Sequence, residues 1–216
     1  GSLVKTLLLL LFLWFYAFLS GLSPSVLRAA TMFSFIVFAK SVKRNSTIYN
    51  TLAASALFLL LWNPYLIMDV GFQLSYLAVT GIVYLQPALS ILVSSDNWLL
   101  HQLTELISVS IAAQLATLPV SLYYFHQFPN YFLLCNLVVI PLSTCIIYVG
   151  MLLIIVSGNA LVFKYTALFF SKTVGLLNNL VIHMSQLPYA ITDRISIQLP
   201  EMCLLYGLII SVHLFF

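Results

Sequence analysis

The chain has 216 residues, 62% of them hydrophobic and 6% charged, with a formal net charge of +3 and a mean hydropathy of +1.10. Soluble domains are about one quarter charged, so a water-soluble globular class is excluded and the position of each charge matters. Its apolar runs of about 16 to 27 residues suit transmembrane helices, not the alternating segments of about ten residues in a barrel.

The first predicted span is Leu3 to Ser20. Gly21-Leu22-Ser23-Pro24-Ser25 then reads as a turn, with Pro24 in the first turn of the next helix. The second span, about Ser25 to Ala39, carries Arg28 early and leads into the dense basic loop Lys40 to Asn45. A short third span, Thr51 to Trp62, is broken by Asn63-Pro64. The fourth runs from about Tyr65 to Gln86. Asp69, Gln73, Tyr76, Thr80 and Tyr84 recur at helical spacing and predict one polar face.

Ser94 to Asn97 reads as a polar loop. The fifth span, about Gln102 to Tyr124, has a second stripe of Ser110, Gln114, Thr117, Ser121 and Tyr124. Phe125 to Asn130 reads as a turn. The sixth span, Tyr131 to Val156, contains Asn136 and Pro141, a residue that kinks or splits a helix. Leu161 to Leu187 is amphipathic, with Lys172, Gly175, Asn179, His183 and Gln186 on one face. Two readings stand for it: a span, or a helix lying in the interface plane. Pro188 to Pro200 is a polar connector, and Glu201 to Phe216 is the last span.

The expected fold is all-α: a polytopic transmembrane helical bundle of about seven to nine helices, one of them interfacial on the second reading and one or more broken by Pro. Residues 1–216 read as one membrane domain. The abrupt apolar start and the end inside an apolar run suggest an excerpt of a longer protein. The positive-inside rule places Lys5, Lys40, Lys43 and Arg44 in the cytoplasm. The turns at Gly21, Pro64 and His126 then lie outside.

That topology predicts depths. Arg28 and Asp69 each lie about five residues in from an outer turn, or about 7 Å, and Asn136 about six residues in. Gln73 and Gln114 lie deeper, about nine to twelve residues in. Intramembrane ions usually mark pathways, so Arg28 and Asp69 are candidates for the mouth of a path. Gln73, Tyr76, Gln114 and Asn136 are candidates for lining it. A bland alternative is an ion pair with amides that glue helices together.

Catalysis has little support. His101, His126, His183 and His213 are scattered, and Cys135, Cys145 and Cys203 lack metal-type spacing and read as packing residues. No metalloprotease, nucleophile-elbow or phosphate-loop pattern occurs. No metal or cofactor is expected, and the chain is expected not to be an enzyme.

Several blocks, in order, resemble the polytopic membrane region of ComEC-type DNA internalisation proteins of bacterial natural competence. The first are Leu19 to Ala29, with Gly21, Pro24 and Arg28; Asn63-Pro64; and Asp69 to Ala78, with Gly71, Gln73 and Tyr76. They continue with Ala113-Gln114-Leu115-Ala116-Thr117-Leu118-Pro119, Tyr123 to Phe128, and Asn136 to Leu142 with Pro141. Further on, Leu187-Pro188-Tyr189 stands where members often read Leu-Pro-Gly. The resemblance implies a channel domain in the bacterial cytoplasmic membrane that admits single-stranded DNA. The expected partners are that strand, membrane lipid and other competence-machinery proteins, with a homo-oligomer as an open alternative that the sequence does not fix. Any nuclease activity would lie in a domain outside this chain. Two other functions remain open on the residues alone: a small-solute or proton-coupled transporter using Asp69, and a structural module that scaffolds soluble domains.

Overall fold

Eight helices account for most of the 2–41, 47–92 and 97–215 segments described by the computed structural model. They are α1 (Ser2–Leu19), α2 (Pro24–Ser41), α3 (Ile48–Trp62), α4 (Val70–Leu92), α5 (Trp98–Phe125), α6 (Phe132–Ile155), α7 (Ala160–Ser185) and α8 (Leu199–Phe215). Expectations for residues 42–46 and 93–96, which include the basic Lys43 and Arg44, fall outside the described residues. By length and composition, α4, α5, α6 and α7 can each cross a membrane. Helices α1, α3 and α8 are shorter and apolar.

Local chemistry sets the helix ends. The α1 terminus is a Schellman turn: Leu22 N–H bonds to Ala17 O and Gly21 N–H to Phe18 O, each at 3.0 Å. Gly21 adopts φ +73°, a region open to glycine at no steric cost. Pro24 follows as the first residue of α2. Thr47 caps α3 by accepting from Asn50 N–H. Asn63 does the same for the 3-10 turn Pro64–Met68, accepting from Tyr65 N–H at 3.1 Å.

That turn corrects the predicted fourth helix. It begins at Val70, five residues later than Tyr65, because Asn63-Pro64 nucleates a separate turn and Asp69 caps the next helix. It then passes through Pro87 to Leu92, beyond the expected stop at Gln86. Helices α5 and α6 likewise run through Pro119 and Pro141. Asn63-Pro64 is thus the proline break that separates two helical elements.

The helices form two compact units. The first comprises Gly1–Ala88, Ala112–Val120 and Met202–Phe216; the second Leu89–Ile111 and Ser121–Glu201. Within the first, α2 packs between α1 and α3. Trp14 Nε1–H donates to Ser34 Oγ at 3.0 Å across α1 and α2, and Phe35 meets Phe58 edge to face across α2 and α3. Its interior mixes larger side chains such as Leu52, Leu59, Phe72 and Leu85 with many small residues, among them Ala17, Ala30, Thr31, Ser55, Ala112 and Ala116. Small buried residues let helices approach closely where the surrounding medium is as apolar as the side chains. At Gly81 of α4 a Cβ would overlap the Ala116 methyl and stand 3.1 Å from Ala112 O, so this crossing requires glycine.

In the second unit, α6 and α7 form an antiparallel hairpin. Phe125 to Asn130, expected as a turn, holds a strand β1 (Gln127–Pro129) that pairs antiparallel with β2 (Ile191–Asp193) from the polar connector. Asn130 locks this ribbon. Its side-chain N–H groups donate to Tyr189 O at 2.7 Å and Thr192 Oγ1 at 2.8 Å, and Tyr131 Oη–H donates to Pro188 O at 3.1 Å.

Candidate functional site

The start of α4 carries the charged site. Asp69 is its N-cap: Oδ1 accepts from Phe72 N–H at 2.6 Å, satisfying one of the unpaired amides of the first turn. Arg28, one turn into α2, reaches this same first turn. Its Nη1 lies 3.6 Å from Asp69 Oδ1, and its Nε–H donates to Ser75 Oγ at 3.0 Å. Ser75 in turn donates to Gly71 O at 2.6 Å. The serine hydroxyl is therefore used in both senses, as acceptor from the cation and donor to the helix.

A cation beside a helix N-terminus is opposed by the macrodipole, which is positive there. Asp69 compensates by adding negative charge at that end. The pair is asymmetric: the Arg28 side chain is 10% exposed and that of Asp69 46%. The guanidinium is thus buried and fixed at Nε, while the carboxylate is open. Gly71 makes the approach possible, since a Cβ there would stand 3.1 Å from Asp69 Oδ1 and 3.3 Å from Arg28 Nη2.

Gln73 and Tyr76 occupy the next turn. Gln73 Nε2–H donates back to Ile67 O at 2.8 Å and ties the 3-10 turn to α4. Tyr76 Oη lies 3.1 Å from Ser55 Oγ on α3. Because Ser55 gives its own proton to Leu52 O at 2.8 Å, Tyr76 is the donor. Phe72, Gln73, Tyr76 and Thr80 flank an open groove of about 350 Å³ that Val120 and Tyr206 complete. Tyr206 Oη–H donates to Ala116 O at 3.0 Å.

The structure therefore joins Arg28 to Asp69, and sets Gln73 and Tyr76 on the same helix as Ser75. Asp69 does not share the α4 stripe, because it precedes the helix. Gln114 is half-buried on the part of α5 that belongs to the first unit, and Asn136 is half-buried on α6 in the second. Among the motif residues, Gly21, Pro24 and Pro64 set turns, Gly71 clears space for the guanidinium, and Pro119 and Pro141 lie within helices. Sequence reasoning missed Ser75 and Ser55 as partners. A serine one turn after Gly71 was visible, but its partner on another helix was not.

The apolar helices, with a half-buried ion pair among them, define a helical membrane protein. Residues 2–216 match the family described as Competence protein, and the chain belongs to that family. ComE operon protein 3 of Bacillus subtilis (strain 168) is 37% identical over 170 residues, covering 77% of this chain and 20% of that protein. The chain thus spans about a fifth of that relative's length. No solved structure matches it.

Proposed function

We propose that this chain is a multi-pass channel domain of the bacterial cytoplasmic membrane that passes one strand of DNA into the cell during natural transformation. The observation that carries the reading is the buried Arg28 guanidinium, held at Nε by Ser75 with its Nη edge toward the half-exposed Asp69. A separation of 3.6 Å is a loose ion contact, longer than a charge-assisted hydrogen bond. Such a cation can exchange the carboxylate for a passing phosphate, and the carboxylate restores the resting pair once the phosphate moves on. Weak, exchangeable contacts suit conduction, because a strand must leave as readily as it binds.

Tyr76, Gln73 and Gln114 would line the path beyond within the first unit, and Asn136 is a separate candidate on α6 of the second. The partners on this reading are single-stranded DNA, the surrounding lipid, other competence-machinery proteins and a second copy of the chain. The role is transport rather than catalysis, and strand degradation would belong to other segments of the whole protein.

The test is made in the full-length protein in a competent host. Arg28→Ala and Asp69→Ala are made singly, and internalised labelled DNA is measured alongside membrane abundance. Loss of uptake at normal abundance supports the reading. Parallel loss of uptake and abundance returns the pair to a purely structural role, and unchanged uptake sinks the pathway.

A further inference from the structure

Helix α7 pairs with α6 along its length. Cys135 Sγ near the start of α6 lies 3.2 Å from Met184 Sδ near the end of α7. Toward the other end, a Cβ on Gly150 would stand 3.3 Å from the Phe170 ring. These contacts are about equally spaced on the two helices, and the β1–β2 ribbon fastens the chain just beyond the Met184 end. The segment containing α6, Phe132–Gly158, is the most apolar of the candidate spans, with mean hydropathy 2.6. A helix tied antiparallel along a spanning helix must cross the same layer, and the 26 residues of α7 suffice.

That placement strands a charge. Lys172 lies twelve residues after Ala160, or about 18 Å along the axis. A lysine so far from either end of its helix cannot snorkel to a headgroup. An ammonium at that depth normally faces water or a counter-charge. Among the described residues neither ion pair includes Lys172. Lys172, Asn179, His183 and Gln186 form one exposed stripe, whereas Phe170 and Met184 are half-buried at the α6 contacts. The helix carries Lys164, Lys172 and His183 and no Asp or Glu, so the stripe complements negative charge.

We infer that α7 is a membrane span and that Lys172, Asn179, His183 and Gln186 line a water-filled path for the phosphodiester backbone of single-stranded DNA. The wet stripe follows from the helix pairing; the identity of the polyanion rests on the channel reading above. One lysine midway along the span, with neutral amides beside it, supplies attraction without a deep trap, which suits a moving strand.

The experiment uses the full-length protein in a competent host with its native cysteines replaced. Lys172→Cys, Asn179→Cys and His183→Cys are exposed to a membrane-impermeant methanethiosulfonate, with Ile147→Cys on the apolar surface of α6 as control. Labelling of the three but not the control, slowed about tenfold by added DNA that shields and occupies the path, supports the inference. Inert cysteines at 172 and 179 overturn it. So does labelling that DNA leaves unchanged while uptake proceeds in the same cells, because the strand then travels elsewhere. Lys172→Arg should retain uptake and Lys172→Glu should lower it about tenfold at equal abundance; equal uptake by the two variants also overturns it. Uptake by cells lacking the full-length protein would instead overturn the channel reading, so the two failures are distinct.

Discussion

Gly71 is bare where the Arg28 guanidinium lies: a Cβ there would stand 3.3 Å from Nη2. Gly71→Ala therefore sets two effects against each other. Alanine gains about 1 kcal/mol of helix propensity, while crowding a filled site costs about 1–3 kcal/mol. The expected net result is a small loss of stability with a displaced guanidinium. DNA uptake should fall further than the abundance of the membrane protein, with both measured in the same cells.

Asp69 serves as both cap and counter-ion, and substitution separates the roles. Asparagine caps a helix about as well as aspartate, whereas alanine costs about 1 kcal/mol. Asp69→Asn should keep the first turn of α4 ordered but leave Arg28 without a counter-charge beside the positive helix end. Since Asp69 is about half exposed, the penalty should fall well below the roughly 3–5 kcal/mol of a fully buried pair. Thermal unfolding of the detergent-solubilised protein should rank wild type above Asp69→Asn and Asp69→Ala below both.

Gly81 and Ala116 set the closest approach of two helices in the first unit. Gly81→Val should destabilise by about 1–3 kcal/mol through overpacking. Ala116→Gly should recover part of that loss when combined with it, although neutral or harmful alone. A double-mutant cycle on thermal stability measures the coupling, and strict additivity would contradict the described crossing.

Replacing Met184 by cysteine beside the native Cys135 tests the α6–α7 register. The two sulfur atoms now lie 3.2 Å apart. Mild oxidation should join Met184→Cys to Cys135, read as a mobility shift after cleavage in the α6–α7 turn. Met184→Cys with Cys145 retained and Cys135→Ser should not cross-link.

Asn130 holds Tyr189 O and Thr192 Oγ1 together. Asn130→Ala removes both bonds at an exposed site, a loss of about 0.5–1.5 kcal/mol for each. Hydrogen exchange should quicken at Asn130 and Ile195, whose amides bond to Ala190 O and His126 O, and leave the middle of α6 unchanged.

Helix order and the approach of Arg28 to Asp69 were legible because hydropathy and turn residues act locally. Counting residues from the Gly21 and Pro64 turns put both charges at similar depth. The cap role of Asp69 was not legible, since Tyr65 to Met68 is as apolar as the helix that follows. Only the 3-10 geometry after Asn63-Pro64 separates the segments. The β ribbon escaped for a different reason. Its strands are three residues long, carry no alternation to read, and find each other across more than sixty residues. Gly81 looked like any glycine in an apolar run until the Ala116 methyl appeared against it.

Tyr206 bonds to Ala116 O from α8, which follows the second unit in the chain. The first unit therefore has a part that the ribosome delivers only after all of the second unit has been made. Until Tyr206 arrives, the groove beside Phe72 and Tyr76 lacks one of its walls. Biogenesis is thus nested: α1 to α4 must persist in the bilayer half-built, with a hydroxyl-bonded closure held back until α8 has been made. A ribosome stalled before residue 202 would leave a membrane-inserted chain whose first unit stays open.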